Sequence, residues 1–217
     1  MAKANIADVR KDYKFDGVRE LRKEDLLTDP IEQFNNWFHE ALQIDELEAN
    51  AMFLATSSKD CRPSVRTVLL KNFDEKGFVF YTNYLSRKGN DLKENPYASI
   101  LFFWKELERQ VRIEGITELV TRKESDEYFH RRPLDSQLAA SSSLQSSVIE
   151  NREILEKKFN ELKDKYKNTS VPLPEFWGGY RLKPEKIEFW QGRQNRMHDR
   201  ILYTKHEGNW KIERLSP

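Results

Sequence analysis

The stretch AMFLATSSKDCRPSVRTVLLKNFDEKGFVFYTN, Ala51 to Asn83, alternates apolar runs with turn formers. AMFLATS (51–57), SVRTVLLKNF (64–73) and GFVFYTN (77–83) are rich in β-branched and aromatic residues and read as strands. DEKG at 74–77 reads as the turn of a hairpin joining two of them. The same texture continues in ASILFFW (98–104) and RQVRIEGITELV (109–120), and resumes late in the chain in EKIEFWQG, RILYTKH and NWKIERL. Strands spaced this closely predict an antiparallel barrel or sandwich.

Helices flank and interrupt this pattern. DPIEQFNNWFHEAL opens with Asp29 as cap, Pro30 at the first helical position and Glu32 in a capping-box-like place. Ile31, Phe34, Phe38, Ala41 and Leu42 form its expected buried stripe. RKESDEYFHRR and SSVIENREILEKKFNELKDKY read as helical insertions, the second with a stripe of Val148, Leu155, Phe159, Leu162 and Tyr166. Residues 1–28 are polar and charged and read as an arm without a core face, while 29–217 read as one domain. The expected class is mainly β with helical additions.

Composition narrows the function. Hydrophobic residues are only 38% of the 217, but 12% are aromatic, so large rings can build the core. Basic and acidic residues number 37 and 36, which argues against a general nucleic-acid binder. A local basic cluster therefore calls for a local anion. The single cysteine, Cys61, excludes an intramolecular disulfide and an all-cysteine metal site. No apolar run reaches the length of a membrane span and the N-terminus has no signal core, so a cytoplasmic chain is expected. Dinucleotide-binding glycines, a Walker-type loop, a zinc-protease helix and a nucleophile elbow are all absent, and no metal is expected.

Cations stand where a simple fold would not put them. SRKGNDLKENP reads as a helix capped by Ser86 with Arg87 and Lys88 in its first turn, where the helix dipole disfavours them unless an anion binds there. Arg66 and Lys71 lie in a β run suited to burial; strict alternation puts them on opposite faces, so they serve different anions or a bulge intervenes. Tyr128, Arg132 and Ser136 in YFHRRPLDSQ are phosphate-compatible donors, though alone they fit a solvated helix face. Gln145 and Ser146 sit just ahead of an expected helix. Tyr81, Trp104, Gln110 and Trp190 offer flat surfaces and amides suited to a heteroaromatic ring. In FWQGRQNRMHDRILY, Arg196, His198 and Arg200 share a parity that an extended chain aims to one side, with Asp199 pointing away to hold a donor. These donors exceed one phosphate's needs and suggest a phosphorylated cofactor beside a phosphorylated substrate.

Taken in series, RTVLLK, FYTNYLSRKG, LERQVRIEG, YFHRRPLDSQ, LPEFWGGYRL, IEFWQG and RMHDR resemble the pyridoxine (pyridoxamine) 5′-phosphate oxidase family, from about residue 9 to Pro217. Met197 stands where that family usually has leucine, a change conservative in volume, and Arg193 has no assigned role. The resemblance implies an FMN-binding split antiparallel β-barrel acting as a homodimer, oxidising pyridoxine 5′-phosphate and pyridoxamine 5′-phosphate to pyridoxal 5′-phosphate with O2 as acceptor and H2O2 as by-product. It implies that Arg66, Lys88 and Ser146, with Arg87 and Gln145 nearby, hold the FMN phosphate. Val68, Leu69, Leu70, Lys71, Tyr81, Thr82, Gln110, Trp190 and Arg200 would line the rest of the cofactor. Lys71, Tyr128, Arg132 and Ser136 would grip the substrate phosphate, Arg196 and His198 would face its ring as the catalytic pair, and Arg10 and Tyr13 in the arm would close over it. The rival readings are an NAD(P)H-dependent flavin reductase of the same barrel class, a non-catalytic vitamer carrier, and a barrel that binds single-stranded nucleic acid.

Overall fold

The computed structural model describes Tyr13 and residues 20–44 and 48–217. In chain order its elements are α1 (Pro30–Ile44), β1 (Ala51–Ser57), β2 (Pro63–Leu69), β3 (Asn72–Asp74), β4 (Gly77–Asn83), α2 (Arg87–Glu94), β5 (Tyr97–Trp104) and β6 (Arg109–Leu119). There follow α3 (Arg122–Arg131), α4 (Leu134–Ser142), α5 (Arg152–Lys165), β7 (Trp177–Gln191), β8 (Asp199–His206) and β9 (Asn209–Arg214). Among the described residues no helix is long and apolar enough to cross a membrane. Contacts divide the chain into two compact units, one of 1–49, 101–113 and 186–217, the other of 50–100 and 114–185.

In the first unit, α1 starts as its sequence predicts, with Asp29 Oδ1 accepting the Ile31 N–H at 2.9 Å. Its buried face is Gln33, Phe34, Trp37 and Ala41, rotated away from the expected Ile31, Phe38 and Leu42. The cause is Arg109, only 5% exposed, whose guanidinium lies 4.3 Å from the Trp37 ring centroid and pairs with Glu40 at 2.8 Å. A buried cation needs a partner and a flat cover; α1 turns Trp37 inward as the cover, and Glu40, itself exposed, supplies the carboxylate. The Trp37 ring also meets Phe189 edge-on, with centroids 5.1 Å apart. The C-terminal part of β7 pairs antiparallel with β8, setting Trp190 opposite Arg200 and Gln191 opposite Asp199, and β8 pairs with β9.

The second unit holds β1 to β4 and parts of β5, β6 and β7, strands that follow one another in the sheet order β2-β1-β5-β6-β7-β4-β3. The run expected as one strand over 64–73 breaks after Leu69. Leu70 donates its N–H to Asn50 O and Lys71 to Val79 O, both at 2.8 Å, so the chain changes partner there. The hairpin at 74–77 forms as expected; Gly77 has φ 130°, and a Cβ there would lie 2.1 Å from Leu182 O, so only glycine fits. Ser86 caps α2 by accepting the Gly89 N–H at 3.3 Å.

α4 was not legible as a helix: LDSQLAASS has no apolar stripe, and its one large buried apolar side chain is Leu138, which joins Phe129, Val171 and Trp177 in a core cluster. The helix expected to contain Val148 starts only at Arg152. Asn151 caps it by accepting the Ile154 N–H at 3.1 Å, and Val148 is fully exposed. Phe159, Leu162 and Tyr166 keep their place against the core.

Candidate active site

A cavity of about 900 Å³ opens in the second unit, near the upper end of the ~300–1,000 Å³ range of small-molecule sites. Arg66, Val68, Leu69 and Lys71 reach it from β2 and the break after it. Tyr81 and Thr82 come from β4, Arg87 and Lys88 from the first turn of α2. Tyr128, Arg132 and Ser136 come from the α3–α4 corner, and Gln145 and Ser146 from the loop after α4. The break explains why Arg66 and Lys71 share one cavity despite their parity: the alternation ends between them. Leu70 is buried at 4% exposure and does not line the wall. Gln145 and Ser146 are not at a helix terminus, since α5 begins six residues after Ser146.

Electrostatics sort the cations into two groups. Burial, and then Arg66, pushes Lys88 down to about 8; burial lowers Arg66 too, with Asp91 opposing and Arg87 adding to the effect. Burial and then Arg132 lower Lys71. The first group is therefore Arg66, Arg87 and Lys88, the second Lys71 and Arg132. Cations that depress one another around a cavity form a site for an anion.

The first group is tightly braced. Arg66 donates to Thr56 Oγ1 at 2.7 Å, Ser64 Oγ at 2.9 Å and Leu54 O at 3.2 Å, with Asp91 at 3.7 Å. Lys88 Nζ donates to Gln145 Oε1 at 2.8 Å and Thr82 Oγ1 at 3.1 Å. Ser146 is held at φ 74°, a left-handed conformation that costs a non-glycine residue about 1–3 kcal/mol and tends to mark a ligand clamp.

In the second group, Arg132 Nη2 donates to Ser136 O at 2.9 Å and the guanidinium lies 4.8 Å from the Trp177 ring centroid. Its Nη1 is buried without a hydrogen-bond partner, and such a donor is costly unless a ligand accepts from it. Tyr81 stacks on Tyr128 at 4.0 Å and on Trp177 at 5.6 Å, giving the cavity a flat aromatic wall. Burial, and then Glu124, pushes the Tyr81 hydroxyl up to about 12, so it remains protonated at neutral pH.

The remaining expected residues belong to the first unit. His198 lies 4.6 Å from the Trp190 ring and meets Tyr13 edge-on at 5.3 Å. Gln110 is half-buried on β6. Arg200 donates through Nε to Glu188 at 2.7 Å and through Nη1 to Ser216 O at 2.9 Å. Arg10 lies outside the described residues. The extended path expected for Arg196, His198 and Arg200 is corrected: 194–196 form a 3-10 turn in which Asn195 (φ 54°) and Arg196 (φ 61°) are left-handed, so parity fails before β8 begins. Arg196 is exposed on that turn. Asp199 holds donors, as expected: Arg214 Nη1 at 2.7 Å, the Leu21 N–H at 3.4 Å and the Arg193 side chain at 3.3 Å.

Three contributors escaped the sequence reading. Trp177 opens β7 and lines the cavity. Asp91 and Glu188 brace Arg66 and Arg200 from distant positions. Local spacing carries no signal for such long-range partners.

A family model described as "Pyridoxamine 5'-phosphate oxidase" matches residues 38–166, and one described as "Pyridoxine 5'-phosphate oxidase C-terminal dimerisation region" matches 177–217. A protein of Trichormus variabilis named pyridoxine/pyridoxamine 5′-phosphate oxidase is 53% identical over 213 residues, 98% of each chain. Its namesake from Aliarcobacter butzleri is 56% identical over 214 residues, 98% of this chain and 100% of its own. Among solved structures, PhzG from Burkholderia lata 383, in complex with tetrahydrophenazine-1-carboxylic acid, superposes with TM-score 0.85 at 31% identity, covering 92% of this chain and 99% of its own. A pyridoxamine 5′-phosphate oxidase-related, FMN-binding protein from Nostoc punctiforme gives TM-score 0.70 at 17% identity over 88% of this chain and 100% of its own. The mainly β split-barrel class with helical additions, expected from the sequence, is the fold these structures share.

Proposed function

Because the chain belongs to the pyridoxine/pyridoxamine 5′-phosphate oxidase family, we propose that it oxidises pyridoxine 5′-phosphate and pyridoxamine 5′-phosphate to pyridoxal 5′-phosphate as an FMN-dependent homodimer. Residues 29–217 act as the FMN-binding domain and 1–28 as an arm over the substrate, working in the cytoplasm. The observation that carries the reading is the pair of cation groups in one cavity, each suited to a phosphate, beside a flat aromatic wall.

Arg66, Arg87, Lys88 and Ser146 hold the cofactor phosphate, with Gln145 and Thr82 orienting the Lys88 ammonium. Val68, Leu69, Lys71, Tyr81, Gln110, Trp190 and Arg200 are assigned to the rest of FMN, and Leu70, buried behind the wall, is not. Lys71, Tyr128, Arg132 and Ser136 hold the substrate phosphate; the buried Arg132 Nη1 is the donor most in need of it. Arg196 and His198 face the substrate ring, and Arg10 and Tyr13 cover it. Bound FMN supplies the two-electron acceptor chemistry, with O2 as final oxidant: the alcohol and O2 give aldehyde and H2O2, and the amine with O2 and water gives aldehyde, ammonia and H2O2. The protein's part is to fix the reacting carbon against the acceptor.

Purified protein should be yellow and release FMN on acid precipitation. Anaerobic mixing with pyridoxine 5′-phosphate should bleach the flavin absorbance in one turnover. Bleaching by NADPH but not by the phosphorylated vitamer would make it a flavin reductase, and a vitamer bound with no bleaching would make it a carrier.

A further inference from the structure

Residue 193 ties the β7–β8 turn together at two points. Its main-chain N–H donates to His198 Nδ1 at 3.1 Å. Its side chain, 18% exposed, places Nε 3.3 Å from Asp199 Oδ2 and Nη2 3.7 Å from Glu20 Oε1. A main-chain N–H can only donate, so Nδ1 must present its lone pair and the ring proton of the neutral imidazole must sit on Nε2. Among the described residues Nε2 has no hydrogen-bond partner. Two left-handed residues, Asn195 and Arg196, lie between these anchors, so the turn would not hold its path from local preference alone.

We propose that Arg193 is a positioning residue that locks His198 as a neutral imidazole with its proton on Nε2, so that the histidine meets a substrate as a hydrogen-bond donor and not as a base. A base at Nε2 would need the proton on Nδ1, where two N–H groups would then face each other. The ligand group that suits Nε2–H is an oxygen with an available lone pair at the edge of a planar ring. This role rests on the reading of His198 as substrate-facing.

The charges around the ring agree. The groups that face it are Tyr13 and Trp190, which are uncharged, the Arg193 main chain, Arg196 and Asp199. Burial first and Arg196 second hold His198 below its ordinary value, while Asp199 pulls it up. Arg193 and Arg214 share the Asp199 carboxylate, so its pull on His198 is muted, while Glu20 also faces Arg193. Removing the Arg193 guanidinium should release that pull and raise the His198 pKa.

The test uses holoenzyme labelled with 15N in histidine. Long-range proton–nitrogen correlation should show His198 with Nε2 protonated and Nδ1 bare at neutral pH. A proton on Nδ1, or a fast average of the two tautomers, overturns the proposal whether or not the protein oxidises vitamers. Arg193→Gln should move the His198 titration, and the acid limb of kcat/KM with it, upward by about half a pH unit or more. Arg193→Lys should restore the wild-type titration by returning a cation to Asp199. An Arg193→Gln enzyme that is slower but titrates like wild type would reduce residue 193 to a structural part and sink the idea. A vitamer-inactive protein with the expected tautomer would instead count against the oxidase reading alone.

Discussion

Arg132→Ala is expected to lower kcat/KM for pyridoxine 5′-phosphate by about 10- to 150-fold, the worth of a charged hydrogen bond of ~1.5–3 kcal/mol. FMN content should not change, because Arg132 belongs with Lys71 and not with the Arg66–Lys88 group. The loss should appear mainly in KM if the phosphate grip is equal in ground and transition states. Steady-state kinetics beside a flavin count would check both. Loss of FMN with normal substrate kinetics would mean the two cation groups have been assigned the wrong way round.

Lys88→Met is expected to weaken FMN binding by a similar 10- to 150-fold, and to flatten its dependence on pH. In the cofactor-free protein Lys88 is pushed down to about 8, whereas a phosphate dianion beside it would raise it again. Binding above pH 8 therefore takes up a proton, and wild-type affinity should fall by up to about tenfold per pH unit from there. The sign for folding is opposite. Between about pH 8 and the ordinary lysine value the unfolded chain holds more protons than the folded apoprotein, so this group makes the apoprotein more stable as pH rises through that window. FMN titrations at pH 7, 8 and 9 on both proteins would decide it. A wild-type affinity flat across that range would remove Lys88 from the phosphate site.

What the sequence revealed follows the range of the forces involved. Ser86, Asp29 and Gly77 act within a few residues of themselves, and each cap or turn is where its local pattern put it. The face of α1 was misread because it is set by Arg109, far along the chain, which draws Trp37 inward. α4 was missed because small residues give no periodic stripe, though Leu138 anchors it in the core cluster. Within the site, Arg66, Lys88 and Arg132 stood out as cations in the wrong places, and the cavity gathers them. The path of 194–196 was misjudged because parity assumes an extended chain, and two left-handed residues break it. Arg193 had no visible role, since its partners Glu20 and Asp199 declare themselves only in three dimensions.

The wall of Tyr81, Tyr128 and Trp177 has an optical consequence. Indole emission overlaps the absorption of a yellow isoalloxazine, and Trp177 sits on the rim of the space where such a chromophore would lodge. Filling that space should quench the emission of Trp177 by energy transfer, while a guanidinium already over its face shifts the starting intensity. The chain has five tryptophans, so a Trp177→Phe protein supplies the difference signal that isolates this one. With a flavin as its ligand, the cavity would carry its own fluorescent gauge, able to follow loading and release in real time with no substrate, coupling enzyme or added dye.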